Sequence, residues 1–127
     1  MLNRLVICFC LLAVPFISNS QNKAETIKIT LAPGEKVWAG VINDGHLMPF
    51  SGDYSMDLYG NNKSNQLQPL ILTSKGQFAW SEQPFKFEIT GSEILITDPF
   101  HTTVAGKEGN TLAEVQKFVS KRYFPAS

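Results

Sequence analysis

The stretch from Phe85 to Thr97 constrains this chain most. Phe85, Phe87 and Ile89 alternate with Lys86, Glu88 and Thr90, Gly91-Ser92 interrupts, and Glu93 to Thr97 follows as an extended partner. Successive side chains on a strand point to opposite faces, so this pattern specifies a tight hairpin with one apolar and one polar face.

The same reasoning extends outwards. Thr26 to Leu31 alternates and places Ile27, Ile29 and Leu31 on one face, and Pro33-Gly34 ends that strand. Val37 to Ile42 reads as a second strand, Tyr54 to Tyr59 as a short one inside a long polar loop, and Gln77 to Ser81 as another. Leu67 to Thr73 is apolar and extended, and Pro69 assigns it to a sheet edge or a strand's beginning, because proline cannot donate to the ladder. Asp98-Pro99 breaks the pattern, and Phe100 to Val104 is expected to form a last short strand. The period then changes. Leu112, Val115, Phe118 and Val119 recur at helical spacing, Thr111 and Glu114 fit a capping box, and Pro125 stops the helix. About seven short strands and one helix predict a mainly β fold, an antiparallel β-sandwich with a C-terminal helix.

Residues 1–20 differ from the rest. Arg4 precedes thirteen almost wholly apolar residues, Leu5 to Ile17, and Ser18-Asn19-Ser20 supplies small residues where a signal peptidase cuts. Thirteen are fewer than the roughly 20 that span a bilayer. The expectation is a signal peptide, a secreted or periplasmic protein, and no membrane span once the signal is removed. Cys8 and Cys10 both lie in this segment, so the mature chain would carry neither disulfide nor thiol. The domain reading is a signal peptide at 1–20, a β-sandwich at 21–110, and a helix and linker at 111–127. Eleven basic residues balance eleven acidic ones with no basic run, which argues against a nucleic-acid partner.

Few residues suggest catalysis. Asp44, Asp53, Asp57 and Glu82 are the carboxylates available for an acid and nucleophile pair across a sugar, but their placement among turn residues favours hydrogen bonding to their own backbone. His46 and His101 stand far apart without a cysteine between them, so no metal site and no cofactor is expected. Neither a nucleophile elbow nor a phosphate loop occurs. Aromatic rings offer more: Trp38, Phe50, Tyr54, Tyr59, Phe78 and Trp80 sit among amides and carboxylates, the combination that stacks on a sugar ring and pairs with its hydroxyls. Phe78 and Trp80, on a strand, are assigned to the core. Trp38, Asp44, Phe50, Tyr54 and Tyr59 form the candidate substrate-binding set, with an oligosaccharide or α-glycoside as the ligand.

Several runs carry a family resemblance. Trp38-Ala39-Gly40-Val41-Ile42-Asn43-Asp44-Gly45, Met48-Pro49-Phe50, Asp57-Leu58-Tyr59-Gly60-Asn61-Asn62, Asn65-Gln66-Leu67-Gln68-Pro69-Leu70 and Trp80-Ser81-Glu82-Gln83-Pro84-Phe85-Lys86-Phe87 resemble the start of secreted bacterial family 31 glycoside hydrolases. Tyr123-Phe124-Pro125-Ala126-Ser127 is similar to the segment that leads into their catalytic barrel. The resemblance implies a retaining α-glycosidase, an α-glucosidase or α-xylosidase, whose N-terminal galactose-mutarotase-like sandwich precedes a (β/α)8 barrel bearing both catalytic Asp residues. It assigns no catalytic residue to this chain. It implies instead that the barrel is a partner, that Asn43 to Tyr59 edges the substrate site, and that the stripe of Leu112, Val115 and Val119 faces the barrel in part. The alternative reading is a free-standing secreted carbohydrate-binding module.

Overall fold

A computed structural model describes residues 23–50, 53–60 and 67–126. The signal-peptide expectation at 1–20 and the Asn61–Gln66 part of the resemblance lie outside the described residues.

Among the described residues, eight strands and one α-helix follow in order: β1 (Glu25–Thr30), β2 (Val37–Val41), β3 (Tyr54–Asp57), β4 (Leu67–Thr73), β5 (Gln77–Trp80), β6 (Lys86–Ile89), β7 (Glu93–Asp98), β8 (Val104–Lys107) and α1 (Leu112–Tyr123). A 3-10 segment, Ile42–Leu47, follows β2. The strands form two antiparallel four-stranded sheets, β1-β7-β6-β3 and β2-β4-β5-β8. The fold is therefore mainly β, as the alternation predicts.

Register explains which residues meet. In the first sheet Ile27, Ile96, Phe87 and Met56 form one cross-strand row, and Ile29, Ile94, Ile89 and Tyr54 form the next. Both rows turn towards the second sheet, which answers with Val37, Ala39, Val41, Ile71 and Ala79. Phe85, Ile71, Ala79, Ile94 and Ile96 are fully buried between the layers. Burial of this kind, at roughly 25 cal/mol per Å² of apolar surface, is what holds two sheets face to face.

The outer faces of the two sheets differ. On the second sheet Trp38, Leu72 and Phe78 lie side by side, as do Leu70 and Trp80, so this face is apolar. Helix α1 covers it: Val115 and Val119 are 0% and 2% exposed and pack with Leu72 and Phe78. This corrects the expectation for the helical stripe. Leu112, Val115 and Val119 are spent on the sandwich itself, because β4 and β5 would otherwise leave an uncovered apolar surface. Thr111 caps the helix, its hydroxyl accepting the Glu114 amide at 3.2 Å, while Glu114 reaches back to accept the Asn110 amide at 2.8 Å.

Two further expectations change. Pro69 lies in β4, a central strand, not an edge. It is tolerated because Ala39 pairs with Ile71 and Gly40 with Gln68, which leaves Pro69 and Leu70 unopposed in a bulge. The strand expected at Phe100 to Val104 begins at Val104 instead. Phe100 to Thr103 wraps around the Asp98 carboxylate, which accepts the amides of Phe100, Thr102 and Thr103 at 2.8 Å each and the Thr103 hydroxyl at 2.7 Å. His101 completes the wrap in the left-handed region, with φ 58°. A carboxylate with this many local donors turns the chain before a ladder can form.

Candidate functional site

Three members of the candidate set come together at the end of the sandwich where β1 finishes and β3 begins. The 3-10 segment carries Asp44 over this end, and the chain returns through Phe50, whose amide donates to the Val37 carbonyl at 2.9 Å. Phe50 is 6% exposed and stacks on Tyr54 with ring centroids 4.1 Å apart and an interplanar angle of 22°. Tyr54 also lies 5.9 Å from Phe87, which ties it to the core. Its hydroxyl donates to Asp44 Oδ2 at 2.6 Å.

That hydrogen bond decides the chemistry of the pair. Burial, the accepted Tyr54 proton and the Asp44 charge all push the Tyr54 hydroxyl well above the ordinary tyrosine value. Tyr54 is thus held as a proton donor and Asp44 as an acceptor, an arrangement that fixes the 3-10 segment over the stacked rings. Loss of the bond in Tyr54→Phe is expected to cost about 0.5–1.5 kcal/mol. The raised value contributes stability that is complete below the usual tyrosine pKa of about 10 and declines as pH rises beyond it. Urea denaturation at rising alkaline pH checks this: the wild type should lose stability more steeply than Tyr54→Phe.

Two shallow depressions flank these rings and share Ile89 and Thr90. One, of about 200 Å³, is lined by Asp53, Tyr54, Ser55 and Glu88. The other, of about 220 Å³, has an apolar floor of Leu31, Val37 and Phe50 under a rim of Glu35 and Lys36. Glu35 is engaged within the fold, accepting the Ala32 amide and the Gln77 side-chain amide at 2.8 and 2.9 Å. Sequence reasoning missed Ser55, Glu88 and Thr90 here, because strand alternation marks them only as solvent-facing; the Gly91-Ser92 turn was the one sign that their end of the hairpin is open.

The chain matches no known family model and no curated protein.

The other two candidates lie elsewhere. Trp38 is half-buried on the outer face of the second sheet, beside Leu72. Tyr59 stands at the opposite end of the first sheet, 45% exposed, with its ring edge-to-face on Phe100 at 6.5 Å. Trp80 stacks on Tyr123 at 4.2 Å, and Phe78 is buried beneath α1. The aromatics therefore serve three surfaces instead of lining one. Of the carboxylates, Asp57 behaves as a turn residue, accepting the amides of Tyr59 and Gly60 at 3.1 Å each. His101 is engaged with the Lys23 carbonyl at 2.8 Å. Among the described residues no group of three or more His, Cys, Asp or Glu is placed to hold a metal ion, and no helix is long and apolar enough to cross a membrane.

Proposed function

We propose that this chain is the N-terminal β-sandwich of an exported family 31 α-glycosidase, one that supports a catalytic barrel and edges its sugar site without performing hydrolysis itself. The observation that carries the reading is the architecture, two antiparallel sheets with a C-terminal helix, found in a chain whose sequence motifs resemble that family's start. Those motifs also coincide with organising parts of the fold. Trp38 to Gly45 forms β2 and the 3-10 segment that delivers Asp44 to Tyr54, and Trp80 to Phe87 carries fully buried Phe85 into the core. In this proposal the Asp44, Phe50 and Tyr54 cluster is a braced edge facing an α-glucoside or α-xyloside. Export through residues 1–20 belongs to the same proposal.

Purified chain incubated with 4-nitrophenyl α-D-glucoside and 4-nitrophenyl α-D-xyloside is expected to release no nitrophenol above the buffer rate. Turnover that follows the protein through purification and depends on Asp44 or Tyr54 would overturn the non-catalytic role.

A further inference from the structure

Among the described residues, no helix covers the outer face of the first sheet. Register sets out two rows on that face: Thr26, Thr97, Lys86 and Asp57, and beside them Lys28, Leu95, Glu88 and Ser55. Between the rows lies a depression of about 370 Å³, lined chiefly by Thr26, Ser55, Lys86, Glu88, Leu95 and Thr97. Its volume falls within the range of about 300–1,000 Å³ typical of small-molecule sites. Hydroxyls, one cation and one anion surround a central aliphatic side chain.

The aromatic pair Tyr59 and Phe100 stands at one end of this face. Each ring follows a strand end by two residues, and each is fixed by the same device. Asp57 Oδ1 accepts the Tyr59 amide at 3.1 Å, and Asp98 Oδ1 accepts the Phe100 amide at 2.8 Å. The rings meet at 84° and remain 45% and 49% exposed. Two large rings left in water together sacrifice burial, and the two local turns hold them there in a defined pose.

We propose that this face, ending at Tyr59 and Phe100, binds a neutral oligosaccharide chain; the proposal rests on the carbohydrate reading above but places a ligand on a separate surface. Three features select that ligand class. The lining charges cancel, which disfavours a polyanion or polycation. The backbone groups of β6 and β7 are used on both sides in the ladder, so a peptide adding as a strand would pair at the β1 or β3 edge and not across the depression. A sugar brings its own hydroxyls to Ser55, Thr97, Lys86 and Glu88, while its C–H faces suit Leu95 and the rings.

The test is a ¹⁵N-¹H correlation titration of the full chain with maltohexaose and, in parallel, a xyloglucan heptasaccharide. The expected result is saturable shifts at Ser55, Lys86, Glu88, Leu95 and Thr97 with at least one probe. Thr97→Arg, and separately the double variant Tyr59→Ala/Phe100→Ala, should each weaken binding at least tenfold while keeping the wild-type spectrum elsewhere; Ser55→Arg serves if either fails to fold. Lys117→Ala, on the exposed side of α1 and away from this face, should bind as the wild type does. Shifts confined to residues around Asp44 and Tyr54 would overturn this surface while favouring the proposed edge. No shift with either probe would overturn this surface alone, since the glycosidase reading is judged by the coding sequence.

Discussion

Asp98→Asn is expected to be among the most destabilising single substitutions in this chain, at about 3–5 kcal/mol, which lowers the melting temperature by on the order of 15 °C or more. Asp98 is 0% exposed, and its two oxygens accept three backbone amides and the Thr103 hydroxyl. An asparagine fits the space but turns one acceptor into an N–H group that faces donors. Amides of the wrap, in hydrogen bonds partly shielded from water, then lose an acceptor, and an unpaired shielded donor costs its desolvation. Asp98→Ala should be nearly as damaging, which separates loss of the acceptor from loss of volume. An equilibrium denaturation series of wild type, Asn and Ala variants checks the order.

The same residue predicts a pH dependence. Burial pushes the Asp98 carboxyl upwards, but the Thr103 hydroxyl and the amides of Phe100, Thr102 and Thr103 outweigh it and hold the group below the ordinary aspartate value. A depressed folded value means stability that is present above the unfolded pKa of about 3.9 and is lost as pH falls through the folded one. Asp98→Asn should therefore flatten the acid limb. Some slope should persist, because Glu35 is lowered as well: burial opposes the shift there, and hydrogen bonds from Thr73, Gln77 and Ala32 prevail.

Phe78→Ala is the second large effect, about 3–5 kcal/mol, concentrated in one part of the molecule. Phe78 is 4% exposed, lies 5.5 Å from the Phe118 ring and 6.3 Å from that of Tyr123, and packs in the cluster that contains Val115 and Val119. A helix of 12 residues is marginal in water on its own, so α1 depends on this patch more than on its cap. Hydrogen exchange should show amides from Val115 to Tyr123 losing protection while β6 and β7 keep theirs. If the helix stays as protected as the sheets, its dependence on Phe78 is wrong.

How much was legible follows from which forces act locally. Phe85 to Thr97 could be read directly because alternation and a glycine turn are local properties, and the observed strands Lys86–Ile89 and Glu93–Asp98 carry that register. Thr111 and Glu114 were legible as a cap for the same reason. Of the two readings of Pro69, the strand's beginning fits its place near the start of β4 and the sheet edge does not, because the bulge that accommodates it is a property of β2 and β4 together. The Phe100 to Thr103 wrap was misread because Asp98-Pro99 announces a turn without showing that one carboxylate collects the amides of Phe100, Thr102 and Thr103. Helical spacing marked Val115 and Val119 as one face, but only the pairing of β4 with β5 shows what that face covers. The aromatics of the candidate set fall within one stretch of sequence, yet Trp38 lies on the outer face of β2, Tyr54 on the inner face of β3 and Tyr59 in the turn after it. Asp44 reaches Tyr54 only because the 3-10 segment brings the chain back across the end of the sandwich.

The measurement that bears most directly on the role proposed for this sandwich is the coding DNA read onward from the codon for Ser127. The expected result is an open frame that encodes alternating strands and helices of a barrel, with two aspartates at the ends of barrel strands. A stop codon at that point, together with saturable oligosaccharide binding by the chain alone, would contradict it and identify a free-standing carbohydrate-binding module instead.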